Sequence, residues 1–278
     1  MGRQIHLLNQ TKPMTKQSND SIILLDGSIH SKKELIESMI DDDFYYGYMG
    51  KSSLSSSAVK MLADSPKIYH YYLNGTSLES PALSIGKITH TMILEPHKVN
   101  GMYEVINVSS RATKAFKEAE MNSDRILITE GESVQIDKMV TAVRKNPILQ
   151  QIIEQSSHEV PTVGLIEGLA FRGKADIITH DGVVYDIKTT SDIKSFRKSA
   201  FLYGYNAQAA IYCKLFNVHH TDFRYIVIDK GSYDLGIVNI SEEFYLSGVD
   251  MMNKAIQTYV EYFVEGKDIY SFLHHQTL

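Results

Sequence analysis

Asp176, Asp186 and Lys188 lie in the stretch "GLAFRGKADIITHDGVVYDIKTT", from Gly168 to Thr190. Their types and spacing point to two chemistries that exclude each other. The first is a nucleoside-triphosphate loop, which needs two spaced glycines, then Lys and a Ser or Thr. Gly168, Gly173 and Lys174 fit its opening, but Ala175 stands where the hydroxyl should be. Such a loop must also open a helix, so that free N–H groups face the phosphates. Here "ADII", then Thr179 to Gly182, then "VVYDI" reads as strand, tight turn, strand, with Asp181-Gly182 the hairpin signal. The second chemistry is metal binding. A hairpin through Asp176 and Asp186 brings two carboxylates together near adjacent strand ends, which suits a divalent cation. Asp186 and Lys188 are two apart, so on a strand they share a face with Ile187 behind them. A lysine so placed would orient an attacking water or stabilise charge on a phosphodiester. The plainer alternative is a surface hairpin with an ordinary ion pair.

Composition narrows the field. With 278 residues and 43% hydrophobic content, the chain can bury a substantial core as one large domain, or one domain with an appendage. The one cysteine, Cys213, excludes intrachain disulfides, four-cysteine zinc sites and iron–sulfur clusters held by this chain alone. No apolar run approaches the roughly 20 residues of a membrane span, and the N-terminus lacks a signal-peptide stretch. A soluble cytoplasmic protein is therefore expected, with no membrane partner. The net charge of -5 argues against a protein that coats nucleic acid over its whole surface. Between Leu165 and Ala200, however, six basic residues (Arg172, Lys174, Lys188, Lys194, Arg197, Lys198) face five acidic ones. That balance permits a phosphate-bearing ligand and no more.

The elements that must position these residues are legible in outline. Residues 1–50 form a mixed segment: an opening twenty residues expected to be mobile, the run "SIILLDG", a helix "SKKELIESMI" and a solvated acidic turn at Asp41–Asp43. The main domain is expected over 51–278. "SSSAVKMLADSPKIYHYYLNG" reads as two helices broken at Ser65-Pro66. "SPALSIGKITHTMILEP" is a helix started by Ser80-Pro81 and stopped by Pro96. Gly86 and His90 share a face of it, and the glycine would allow close backbone approach. Taken alone, such a histidine is structural. Helical stretches follow around "RATKAFKEAEM" and "GESVQIDKMVTAVRKNPILQQIIEQ". "HEVPTVGLIEGLAF", "RGKADIITH" and "VVYDIKTT" then predict three antiparallel strands. A helix carries Gln208 and Tyr212 one turn apart, two strands follow, and a helix capped by Ser241 closes the chain near Gly266.

A serine-rich helix start followed by Ser-Pro, then "GKITH", "GKAD", "DIKTT" and "YNAQAAIY", occur in that order. Over roughly residues 53–265 the chain thereby resembles the PD-(D/E)xK nuclease superfamily, in its RecB-like branch with the RecE (exonuclease VIII) type enzymes of phage and prophage recombination. The resemblance implies an α/β fold: a restriction-endonuclease-like mixed central β-sheet flanked by helices, with helical N-terminal additions. It implies Asp176 and Asp186 as metal ligands, helped by the Ile187 carbonyl, with His90 joining the shell. Lys188 matches the lysine that positions or activates water. Gln208 and Tyr212 match a QxxxY motif tied to DNA contact and to support of the site. Glu159 matches a further acidic residue near the metals, with Glu167 the alternative if the strand register differs. Arg172 and Lys174 are expected DNA contacts.

Two carboxylates, a neutral imidazole and a carbonyl suit magnesium, with manganese as substitute, and disfavour zinc. The doublets His219-His220 and His274-His275 read as surface histidines, since adjacent side chains point apart. The resemblance implies a metal-dependent deoxyribonuclease, resecting double-stranded DNA ends from the 5′ side to leave a 3′ strand for annealing. It also implies a homo-oligomeric ring and a companion single-strand annealing protein. An endonuclease or repair nuclease of the same fold is the alternative, since polarity and end preference do not follow from fold. A non-catalytic DNA-end-binding module is disfavoured because every expected catalytic position is filled.

Overall fold

The computed structural model describes residues 20–76 and 80–274. An N-terminal segment contains an antiparallel ribbon, β1 (Ser21–Ile23) and β2 (Ile29–Ser31), then α1 (Lys32–Ser38), a π-helical turn over Phe44–Tyr48 and the single turn α2 (Met49–Ser52). Helices α3 (Ser56–Asp64) and α4 (Pro66–Leu73) follow. They part at Ser65, whose hydroxyl accepts the Lys67 N–H while Pro66 starts α4 without losing a donor. Helix α5 (Pro81–Leu94) repeats the device with Ser80 and Pro81.

A small parallel pair, β3 (Tyr103–Ile106) and β4 (Ile126–Thr129), encloses α6 (Lys114–Glu120) and leads into α7 (Glu130–Lys145) and α8 (Pro147–Glu154). Thr129 and Glu132 form a reciprocal capping box at the start of α7. The remaining elements are β5 (Ser156–Ile166), β6 (Leu169–Thr179), β7 (Val184–Thr190), α9 (Phe196–Leu202), α10 (Tyr205–Phe216), β8 (Phe223–Asp229), β9 (Leu235–Asn239) and α11 (Glu242–Tyr259).

The five long strands form one mixed sheet in the order β5-β6-β7-β8-β9, with only the β7/β8 pair parallel and α9–α10 as its crossover. Period-2 alternation sorts its side chains into two cores. Val184, Phe223, Tyr225 and Val227 pack under α3, α10 and α11, whereas Tyr185, Ile187, Ile226 and Ile228 pack under α5 and α7. A third cluster of Ile22, Leu24, Leu35, Met39, Tyr45 and Met49 fastens the N-terminal segment to Val163 and Ala170 of the β5–β6 hairpin. The chain thus forms the expected mixed sheet flanked by helices.

Several local expectations change. The first hairpin turns at Glu167 and Gly168, both at positive φ (49° and 80°), so "LAF" belongs to the second strand. Two left-handed residues are what a tight hairpin requires, and Glu-Gly is a weak signal for it. The long stretch beginning "GESVQ" is two helices, because the Asn146 side chain accepts the Ile148 and Leu149 N–H groups and Pro147 opens α8. The β3/β4 pair has no counterpart in the sequence reading. The acidic turn is not simply solvated, since Asp42 Oδ1 lies 2.5 Å from Lys174 Nζ. Mobility of the opening residues concerns 1–19, outside the described residues.

Candidate metal centre

The site begins where the sheet forks. β6 and β7 pair only at Ile177–Tyr185 and Ile178–Val184, then separate. Asp176 and Asp186 stand at the fork, and the Ile187 N–H donates to Asp176 Oδ2 at 2.6 Å. Opposite Asp176 the β5/β6 ladder also fails: His158–Ile177 and Val160–Ala175 are paired, while Glu159 between them has a φ of 50°. A left-handed glutamate is uncommon and costs energy, so the break is a local strain at this one point. β6 turns over across it, since Ala175 packs in the α10 core and Ile177 in the α5 core. The distortion puts Glu159 and Asp176 on one site.

Helix α5 brings His90 to the same place. Its Nε2 lies 2.8 Å from Asp176 Oδ2 and its Nδ1 3.3 Å from Glu159 Oε1. Gly86 is not needed for this approach: a Cβ there would sit 3.6 Å from Thr189 Oγ1, an ordinary contact. Helix α10 supports the other strand. Gln208 Nε2 donates to Asp186 Oδ2 at 2.5 Å, and Tyr212 Oη donates to the Lys174 carbonyl at 2.8 Å. Tyr212 fits because Gly173 lacks a side chain, a Cβ there falling 3.1 Å from its ring. Lys188 Nζ lies 2.5 Å from Asp186 Oδ1 and 4.7 Å from the centre of the Tyr205 ring. Tyr205 escaped the sequence reading, although it sits three residues before Gln208 on the same helix face.

Burial and mutual charge set the protonation states. Burial opposes a charged His90, but the Asp176 and Glu159 carboxylates outweigh it and push the imidazole up to about 9. Burial and the Asp176 charge push Glu159 up to about 7, with His90 opposing. Burial and Asp176 likewise push Asp186 up to about 6, against Lys188. Asp176 goes the other way: burial raises it, but His90 outweighs burial and holds it below the ordinary carboxylate value. Burial lowers Lys188, yet the Asp186 charge holds it above its ordinary range. These are the mutual shifts of a carboxylate cluster gathered in low dielectric.

His90, Glu159 and Asp176 each offer a ligand atom, all within 4.8 Å of one another. Glu159 Oε1 is buried and accepts no hydrogen bond, with only His90 Nδ1 near it at 3.3 Å, as an oxygen turned to a cation would be. An imidazole with carboxylates and no thiolate fits a hard divalent ion. Asp186 lies outside the three-residue group, its oxygens facing Gln208 and Lys188. Glu167 is exposed at the hairpin turn, away from this group.

Arg172 and Lys174, expected at DNA, are turned inward. Arg172 is 4% exposed and donates to the carbonyls of Met49 and Ser53. Lys174, 8% exposed, meets Asp42 and the Tyr45 ring. Both tie the N-terminal segment to the sheet, and their short spacing in "RGK" carries no hint of that. His219 and His220 do not point apart; their rings lie 4.2 Å from each other, and His220 stacks on Tyr245. His275 lies outside the described residues.

The family described as "PDDEXK-like domain of unknown function (DUF3799)" matches residues 55–267. The chain belongs to this PDDEXK-like family. No curated protein matches it. Among solved structures it is similar to a protein from Eubacterium rectale whose name ascribes to it an exonuclease activity. The two share 13% identity and a TM-score of 0.60, over 86% of this chain and 95% of that one. A phage related exonuclease from Haemophilus somnus 129PT, at 14% identity, covers 64% of this chain and 94% of that one with a TM-score of 0.30. At these identities the likeness speaks to fold, and only the first is close enough to do so. Asp176, Asp186 and Lys188 of this PDDEXK-like chain lie where β6 and β7 separate, a fork for which the sequence holds no signal. No helix among the described residues is long and apolar enough to cross a membrane.

Proposed function

We propose that this PDDEXK-like domain is a magnesium-dependent nuclease of the RecE type, degrading duplex DNA ends from the 5′ side to leave a 3′ strand for annealing. The observation that carries the reading is the fork itself. His90, Glu159 and Asp176 converge beside an Asp186–Lys188 ion pair.

His90, Glu159 and Asp176 would hold the ion, with Asp186 at its edge. When bound, magnesium polarises the scissile phosphate and makes a nearby water acidic. The chain's own residues do the rest. Gln208 Nε2 pins one oxygen of Asp186 while Lys188 holds the other, so the carboxylate keeps one orientation. Lys188 Nζ, held between Asp186 and the Tyr205 ring, donates a hydrogen bond to the attacking water and counters charge developing on the phosphate. His90 keeps the Asp176 carboxylate ionised, and the Ile187 N–H fixes its orientation. As the water oxygen bonds to phosphorus the P–O3′ bond would break, the water giving its proton to solvent and the 3′ oxygen leaving as a hydroxyl, so that the phosphate stays on the 5′ end of the product. A ring assembly, for which the resemblance is the ground, would let the enzyme stay on one end.

The test is digestion of linear duplex labelled at one end, alongside a closed circle. Early release of 5′-labelled mononucleotide with the circle spared supports the reading; a cut circle replaces it with an endonuclease.

A further inference from the structure

The basic residues that the sequence concentrates around the hairpin divide into two groups. Arg172, Lys174 and Lys188 are committed to internal partners. Lys194, Arg197 and Lys198 are exposed on α9 and the turn before it, directly after the strand that carries Lys188. Arg197 makes only a long, exposed contact of 3.9 Å with Glu243, and among the described residues Lys194 and Lys198 have no carboxylate partner. The nearest acidic residue in sequence, Asp192, is occupied with Ser195 Oγ at 2.6 Å and the Lys194 N–H at 3.0 Å.

Aromatic rings connect this surface to the site. Lys188 sits over Tyr205 at 4.7 Å, and the Tyr205 ring lies 5.9 Å from that of Tyr203. Tyr203 is 51% exposed and has Lys60 of α3 over it at 5.3 Å. Gly204, at a φ of 70°, lets α9 turn into α10 here, with Lys60 packed 3.6 Å from where a Cβ would be. The α9 surface thus carries half-exposed Tyr203 under Lys60 at its C-terminal end and Lys194, Arg197 and Lys198 at its N-terminal end. It has the composition of a strand-binding path: cations for phosphates and a ring for a base or sugar to stack on.

We propose that α9 and its flanks form the track for the DNA strand that enters the site on its Lys188 side, with Lys194 and Lys198 on phosphates and Tyr203 as the stacking rung. This deepens the nuclease reading and rests on it. The track supplies the contacts that buried Arg172 and Lys174 do not.

The experiment measures binding of a short fluorescent duplex to the full chain by anisotropy across a salt series, with calcium in place of magnesium so that the strand stays whole. Cleavage with magnesium is run in parallel. Lys194→Ala/Lys198→Ala is expected to weaken binding about tenfold and to flatten the log–log salt slope by about 2, near 0.9 per phosphate released. Tyr203→Ala is expected to weaken binding about tenfold at unchanged slope, and Tyr203→Phe to restore it. Lys138→Ala/Lys145→Ala, on α7 across the sheet, should change neither. If the α9 double variant keeps wild-type slope and affinity while the wild type binds and cuts, the track is wrong and the nuclease stands. If the wild type neither binds nor cuts, the nuclease reading falls and takes the track with it.

Discussion

Gln208 Nε2 donates to Asp186 Oδ2 at 2.5 Å, joining the first turn of α10 to the strand fork. Both side chains are buried, so removing the amide strands a carboxylate oxygen where water cannot replace the donor. Gln208→Leu is expected to lose about 10–100-fold in metal affinity or cleavage rate, as losses of supporting hydrogen bonds commonly do. Gln208→Glu should lose more, by placing a second carboxylate against the first. Magnesium titrations of cleavage, read beside circular dichroism to show the fold retained, check this.

Metal affinity should rise with pH. His90 stands at about 9 in the metal-free protein, so at pH 7 its imidazole carries a proton that must leave before the nitrogen can ligate. Glu159, at about 7, releases a further fraction. Magnesium or manganese binding is therefore expected to release protons at pH 7 and to tighten between pH 7 and 9. Calorimetry in two buffers of different ionisation enthalpy measures the release, and a buffer-independent heat would contradict it.

Gly248 is where α11 crosses the start of α10. A Cβ there would collide with the Asn206 carbonyl and come 3.0 Å from the Ala207 nitrogen. Backbone cannot swing aside as a side chain can, so Gly248→Ala is expected to cost about 2–3 kcal/mol. Thermal unfolding should show a fall of several degrees, and cleavage should drop as well because the displaced backbone leads straight to Gln208.

Arg172→Ala separates support from DNA contact. The guanidinium donates to two carbonyls at 2.8 and 2.9 Å and lies over the Tyr45 ring at 5.1 Å. Its loss should destabilise the fold by about 3 kcal/mol, since charged buried hydrogen bonds are among the stronger ones. The salt slope of DNA binding should not change. An unchanged melting temperature with a flattened slope would instead make Arg172 a DNA contact.

The acidic pair and the lysine were legible because their chemistry is local. Asp181-Gly182 announces the hairpin, and the spacing of Asp186 and Lys188 places both on one strand face. His90, Gln208 and Tyr212 came from motif order; the Ser80-Pro81 start announces the helix of His90, whereas α10 begins after Gly204 with no side-chain cap. What was hidden depends on non-local contact. No pattern in "DDDFYYGY" says that Asp42 will meet Lys174, 132 residues away, or that Tyr45 will cover Arg172 and Lys174. The left-handed turn at Glu159 is equally silent, because glutamate takes that conformation only where the surrounding structure enforces it. The β3/β4 pair was missed because each strand has four residues and one lies half exposed, too short to show a period.

The most direct measurement compares hydrolysis of linear duplex DNA by the wild type, Asp186→Asn and Lys188→Met, each shown folded by its melting curve, with magnesium and with the ion chelated. Cleavage by the wild type that needs the metal and falls at least about a hundredfold in both variants is the expected result. Wild-type rates in either variant, or no cleavage by the wild type with magnesium or manganese, would contradict the assignment of this fork as a nuclease centre.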